Sequence, residues 1–217
     1  ISADQGVSAI LAGMKKKYGG MMKEQSKTLA GSFSTLKDNL AQGAGAIGVS
    51  VFAQETLIQA ETIAAGGVRL TRDLAHKLQT AFAAAERVKQ HFGAVANACD
   101  PREAVQAPKL GLDGRLEAAT TLRGVIADTM TPRLHEMLLQ VRRQLEIAGF
   151  MNADGPQRVV LVGGGALIPG MRELATDALD MPARMGRPFE LWGFDHGDAG
   201  PAYATPAGLL RHRFASP

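Results

Sequence analysis

The sequence predicts an α/β fold. Three patterns carry that prediction: an alternating run with its return between Val49 and Ile63, helical apolar spacing after Thr71 and again after Leu122, and a strand–glycine–helix succession from Arg158 to Leu179. Strand patterns interleaved with helical ones point to layered helices and sheet around one core. The chain has 217 residues, of which 46% are apolar and 21% charged, enough to bury such a core and too apolar for disorder. Cys99 is the single cysteine, which excludes an internal disulfide and suits a reducing compartment.

Residues 1–41 read as a helical basic segment. Val7, Leu11, Met14 and Tyr18, then Leu29, Phe33, Leu36 and Leu40, recur four, three and four apart, broken by Gly19-Gly20. Six lysines face Asp4, Glu24 and Asp38 there, so the whole net charge of +3 sits in this segment. The remainder has no net basic character, which argues against nucleic-acid binding. Three uses stay open for the segment: a solvated helix with a packed stripe, a basic helix lying on anionic lipid, and an assembly element. The longest charge-free stretch, between Asp38 and Glu55, is too short and too polar to span a bilayer.

Gly43, Gly45 and Gly48 satisfy G-x-G-x-x-G, but helix precedes the glycines and strand follows, the reverse of a dinucleotide fingerprint. Val49–Ala53, a turn at Gln54-Glu55 and Thr56–Ile63 read as a hairpin. The glycine turn before it serves either plain turn geometry or a phosphate facing backbone N–H groups. From Thr71 the spacing predicts one helix carrying Leu74, Leu78, Phe82 and Val88, with Asp73 complementing the dipole at its start. Glu86 and Lys89 lie three apart on one face. They are either an ordinary surface ion pair of little energetic worth or a pair reaching a hydroxylated ligand such as ribose.

Residues 96–118 read as irregular and polar, with a short strand over 108–112. A long helix follows, with Ile126, Met130, Leu134, Leu138, Val141 and Leu145 on its stripe. Pro132 predicts a kink or a restart capped by Thr131. Arg158–Val162 then has a buried-strand pattern, followed by Gly163-Gly164-Gly165 and a helix over Met171–Leu179. That order lets backbone approach a flat or anionic ligand, or simply joins strand to helix. The Lys and Ser/Thr of a P-loop are missing.

Six blocks now stand in order: Ile63–Ala75, Ala85–Gly93, Ile126–Met137, Val160–Gly170, Pro182–Pro188 and Pro201–Leu210. Through them residues 42–217 resemble the C-terminal half of FtsA, the bacterial actin-like cell-division family. The run Tyr18–Asn39 weakly resembles a phage tail tape-measure segment. The FtsA resemblance implies half of an actin-like fold: a large subdomain over 42–95 and 153–217, and a small subdomain over 96–152. It implies ATP with magnesium as ligand, Glu86 and Lys89 facing ribose and adenine, and Gly163, Gly164 and Gly165 forming the adenosine turn. Gly43 and Gly45 would be the remains of the second phosphate loop. It further implies binding of the FtsZ C-terminal tail and of FtsA-like subunits through the small subdomain, with Arg133 and Glu136 in the contact block, at the cytoplasmic face of the inner membrane.

Alignment on Phe52 places Ala41 where the family has the loop's Asp, and Ala46 and Ile47 where it has threonines. The first lobe and the membrane-gripping C-terminal helix have no counterpart in these residues. The expected function is therefore a divisome interaction module with an incomplete nucleotide site, without catalytic or metal-ligating residues and without a direct membrane anchor. An actin-like ATPase completed by another chain, and a tape-measure fusion fragment joined near residue 41, are the alternatives.

Overall fold

The computed structural model describes residues 47–53, 56–151, 156, 158–187 and 200–204, apart from the side chains of Ala53, Thr56 and Leu57. The basic segment, Gly43, Gly45 and the turn at Gln54-Glu55 lie outside the described residues. The chain divides into two compact units between Ala65 and Gly66.

In the first unit, β1 (Ile47–Ala53) pairs antiparallel with β2 (Thr56–Ile63), as the alternating pattern predicts. The register shifts between Val51 and Phe52. Val51 is buried and Phe52 exposed, the two-residue alternation of a strand with one covered face.

The second unit opens with α1 (Gly67–Leu78) and α2 (Phe82–Phe92). The single helix expected from Thr71 is thus two helices, and it starts four residues earlier. The break is a left-handed residue, Gln79, at φ 50°. Its N–H returns to His76 O at 3.3 Å, and that of Thr80 to Ala75 O at 3.0 Å, closing α1 with the paired bonds of a Schellman motif. Glycine usually takes that position, so the sequence carries no signal for the stop. Asp73 consequently lies in mid-helix, away from the N-terminal turn where a carboxylate would meet the dipole.

Residues 96–118 are more ordered than their composition suggests. A 3₁₀ turn at Ala96–Ala98 leads to β3 (Ala104–Gln106), β4 (Lys109–Leu110), β5 (Leu116–Glu117) and β6 (Thr120–Leu122). β3 pairs with β6 and β4 with β5, both antiparallel, with Leu110 opposite Leu116.

Helix α3 (Arg123–Ile147) runs unbroken through Pro132. Thr131 is not a cap: its hydroxyl donates to Ala127 O at 2.7 Å and accepts from Ala96 N–H at 2.9 Å. An interior proline costs about 3 kcal/mol. Against it stand Ile126, Met130, Leu134, Met137, Leu138, Val141 and Leu145, all buried along one helix. Each large side chain so buried contributes about 2 kcal/mol, so packing outweighs the lost hydrogen bond.

β7 (Val159–Leu161) runs parallel to β8 (Ala183–Met185), with a 3₁₀ turn (Gly164–Leu167) and α4 (Met171–Leu179) between them. The strand is not buried as its pattern predicts, because Val160 and Val162 are exposed. They lie against Gly186, where an added Cβ would stand 2.5 Å from Val162 Cγ1 and 2.8 Å from Val160 Cγ1. The main core joins Leu70 and Leu74 of α1, Ala85 and Val88 of α2, and Ile126, Met130 and Leu134 of α3. Farther along α3, Arg142 Nη1 donates to Ala178 O of α4 at 3.3 Å.

Candidate functional site

The site starts from the helical spacing of two sequences. On α1, Gly67 and Thr71 are one turn apart; on α2, Glu86, Lys89 and Gln90 share a face. Packing of Leu70 and Leu74 against Ala85 and Val88 brings the two faces together. Lys89 Nζ then donates to Glu86 Oε2 at 2.7 Å, Thr71 Oγ1 at 2.8 Å and Gly67 O at 3.2 Å. Thr71 Oγ1 has Glu86 Oε2 and Gly67 O (2.9 Å) as acceptors for its one proton. Gln90 Nε2 donates to Glu86 Oε1 at 2.9 Å.

This is not the exposed surface pair of little worth. The Lys89 side chain is 14% exposed and that of Glu86 33%, while Thr71 is fully buried at 0%. An ammonium has three donors, and here three acceptors take them. Partial burial pushes the Glu86 carboxyl up, but the hydrogen bonds from Lys89 and Thr71, the Lys89 charge and Gln90 together hold it below its ordinary value. The carboxylate is therefore ionised, oriented and still partly open to solvent.

Thr71 is the residue that sequence reasoning missed. It lies on the stripe of Leu70 and Leu74, and a hydroxyl on an apolar stripe signals a buried polar partner. The partner came from another helix, so no local pattern named it.

The three glycines of the second cluster share one turn. Gly163 has φ 87°, and its N–H donates to Pro201 O at 2.7 Å. An added Cβ at Gly163, Gly164 or Gly165 would meet nothing within 4 Å, and Gly164 and Gly165 are exposed. The turn thus offers bare backbone to open space. The chain after it is tied to the segment following α2: Val95 N–H donates to Pro169 O at 2.9 Å, and Gly170 packs against Ala98 and Val95.

Arg133 and Glu136 lie on α3 and meet each other. Arg133 Nη1 donates to Glu136 Oε2 at 2.6 Å, and Nε to Asp73 Oδ2 of α1, also at 2.6 Å. The Asp73 hydrogen bond and charge, with Glu136 behind them, raise the guanidinium above its ordinary value. Among the described residues, no three His, Cys, Asp or Glu side chains stand together to hold a metal ion. No helix among them is long and apolar enough to cross a membrane.

The described residues have an actin-like α/β fold, which solved structures share. Over 79% of this chain it matches MreB5 of Spiroplasma citri bound to AMPPNP, with TM-score 0.58, 14% identity and 51% of that chain covered. Over 80% it matches the PilM–PilN type IV pilus biogenesis complex, with TM-score 0.57, 20% identity and 44% of that chain covered.

Sequence comparison then places the chain within that class. The family model for cell division protein FtsA matches residues 42–208. Cell division protein FtsA of Rhizobium meliloti (strain 1021) is 34% identical over 169 residues, which is 77% of this chain. This protein belongs to the FtsA family of cell-division proteins. The chain spans 38% of the length of that relative.

Proposed function

We propose that this chain is a divisome interaction module that keeps the adenosine-recognising side of an actin-like site and does not hydrolyse nucleotide. One observation carries the reading: Lys89 and Thr71 hold Glu86 as an ionised, partly exposed hydrogen-bond acceptor. A carboxylate so held suits a sugar hydroxyl, and the open backbone at Gly164 and Gly165 suits the close approach of a flat base. These residues fit the adenosine end of ATP. Magnesium, when bound, would neutralise the phosphates. Ala41 in place of the family's acid leaves no side chain there to orient water.

The partner half of the proposal places the FtsZ tail on the subdomain 96–152 and FtsA-like subunits at its neighbouring surfaces, at the cytoplasmic face of the membrane. Arg133 supports it: its guanidinium carries five N–H donors, of which Asp73 engages one at Nε and Glu136 one at Nη1.

Calorimetry of the chain with ATP and magnesium, beside titration with a labelled FtsZ tail peptide, tests both halves. The expected result is weak saturable nucleotide binding without phosphate release, and a saturable peptide response. Phosphate release at a steady rate overturns the non-catalytic reading. A flat peptide titration overturns the partner assignment.

A further inference from the structure

The acceptor capacity of Glu86 sets how many sugar hydroxyls it can take. A carboxylate has about four lone-pair sites. Oε2 receives Lys89 Nζ and the Thr71 hydroxyl, and Oε1 receives Gln90 Nε2. One site, on Oε1, is left. Lys89 has no donor to spare, since Gly67 O, Thr71 Oγ1 and Glu86 Oε2 take all three.

We propose that Thr71 is a positioning residue for a ribonucleotide: with Lys89 it locks Glu86 so that Oε1 accepts a single sugar hydroxyl. The inference rests on the adenosine-site reading above. Thr71 is suited to this role because it is fully buried and its hydroxyl meets both Lys89 and Glu86 of α2. Its hydroxyl accepts from Lys89 and donates to Glu86, so removing it frees one Lys89 N–H and one Glu86 lone pair at once. The carboxylate then has two ways to turn, and the Oε1 orientation is no longer set.

The test is calorimetry of the full chain with ATP, 2′-deoxy-ATP and 3′-deoxy-ATP. The parent should prefer ATP to one of the two deoxy analogues by about tenfold, the worth of one hydroxyl on a charged acceptor. Thr71→Val should bring that ratio close to one while the far-ultraviolet spectrum is unchanged, and Thr71→Ser should restore it. Rescue by serine separates positioning from packing, because serine keeps the hydroxyl and loses the methyl. If valine disrupts the fold, Thr71→Cys carries the same expectation with a weaker donor. A folded Thr71→Val or Thr71→Cys chain with the parent's ratio overturns the role of Thr71 and leaves the adenosine site standing. A parent that binds all three alike overturns the role of Glu86, and one that binds none overturns the adenosine reading with it.

Discussion

Arg133 Nε and Asp73 Oδ2, sixty residues apart in sequence, lie 2.6 Å apart and tie α3 to α1. Each side chain is 32% exposed, so the pair is neither dry nor freely solvated. The same arginine also holds Glu136 one turn along its own helix.

This tie should be measurable by a double-mutant cycle of Asp73→Ala, Arg133→Ala and the pair. Partly exposed ion pairs are worth up to about 1 kcal/mol. A coupling energy in that range from thermal melts is expected, with Arg133→Ala alone costing more than Asp73→Ala because it also releases Glu136. Perfect additivity of the two single changes would show that the contact contributes nothing.

The glycines should divide into two classes. Gly170 has φ 83°, and its added Cβ would stand 2.7 Å from that of Ala98. Gly170→Ala should therefore destabilise by about 1–3 kcal/mol and lower the melting temperature. Gly164→Ala and Gly165→Ala meet no neighbour and should melt like the parent while losing affinity for ATP. Loss of stability at Gly165 with binding intact would mark the turn as purely structural.

Gly186 gives a third measurement. Alanine there would press on Val162 and Val160, whose short, branched side chains have to shift to admit it. An overpacked contact costs about 1–3 kcal/mol. Urea melts of Gly186→Ala should show a lower midpoint with an unchanged slope, and an unchanged midpoint would place the two valines elsewhere in solution.

The pH dependence follows from Glu86, whose folded pKa lies below its ordinary 4.5. The folded chain thus holds that proton less tightly than the unfolded chain. The contribution is full above the unfolded pKa and is lost as pH falls through the folded one. Glu86→Gln should lose less melting temperature than the parent between about pH 5 and about pH 3, and parallel curves for the two would remove Glu86 from the acid transition.

Local periodicity was enough to locate the hairpin strands at Val49–Ala53 and Thr56–Ile63, the helix Met171–Leu179 and the glycine turn before it, since each shows in the apolar pattern of its own residues. It also singled out Glu86 and Lys89, because three-residue spacing puts them on one face of any helix. What it could not decide were outcomes set by distant packing. The stop at Gln79 uses a conformation that glutamine does not advertise. The passage of α3 through Pro132 is bought by seven buried side chains along its length. Thr71 became part of the site only when α1 and α2 closed on each other, and Arg133 was taken up by Asp73 in the same way. Sequence by itself determined which faces are apolar and where chemistry-bearing side chains sit along them. Tertiary structure decided which donors remain free, because a hydrogen bond is spent on whatever acceptor the fold brings within reach.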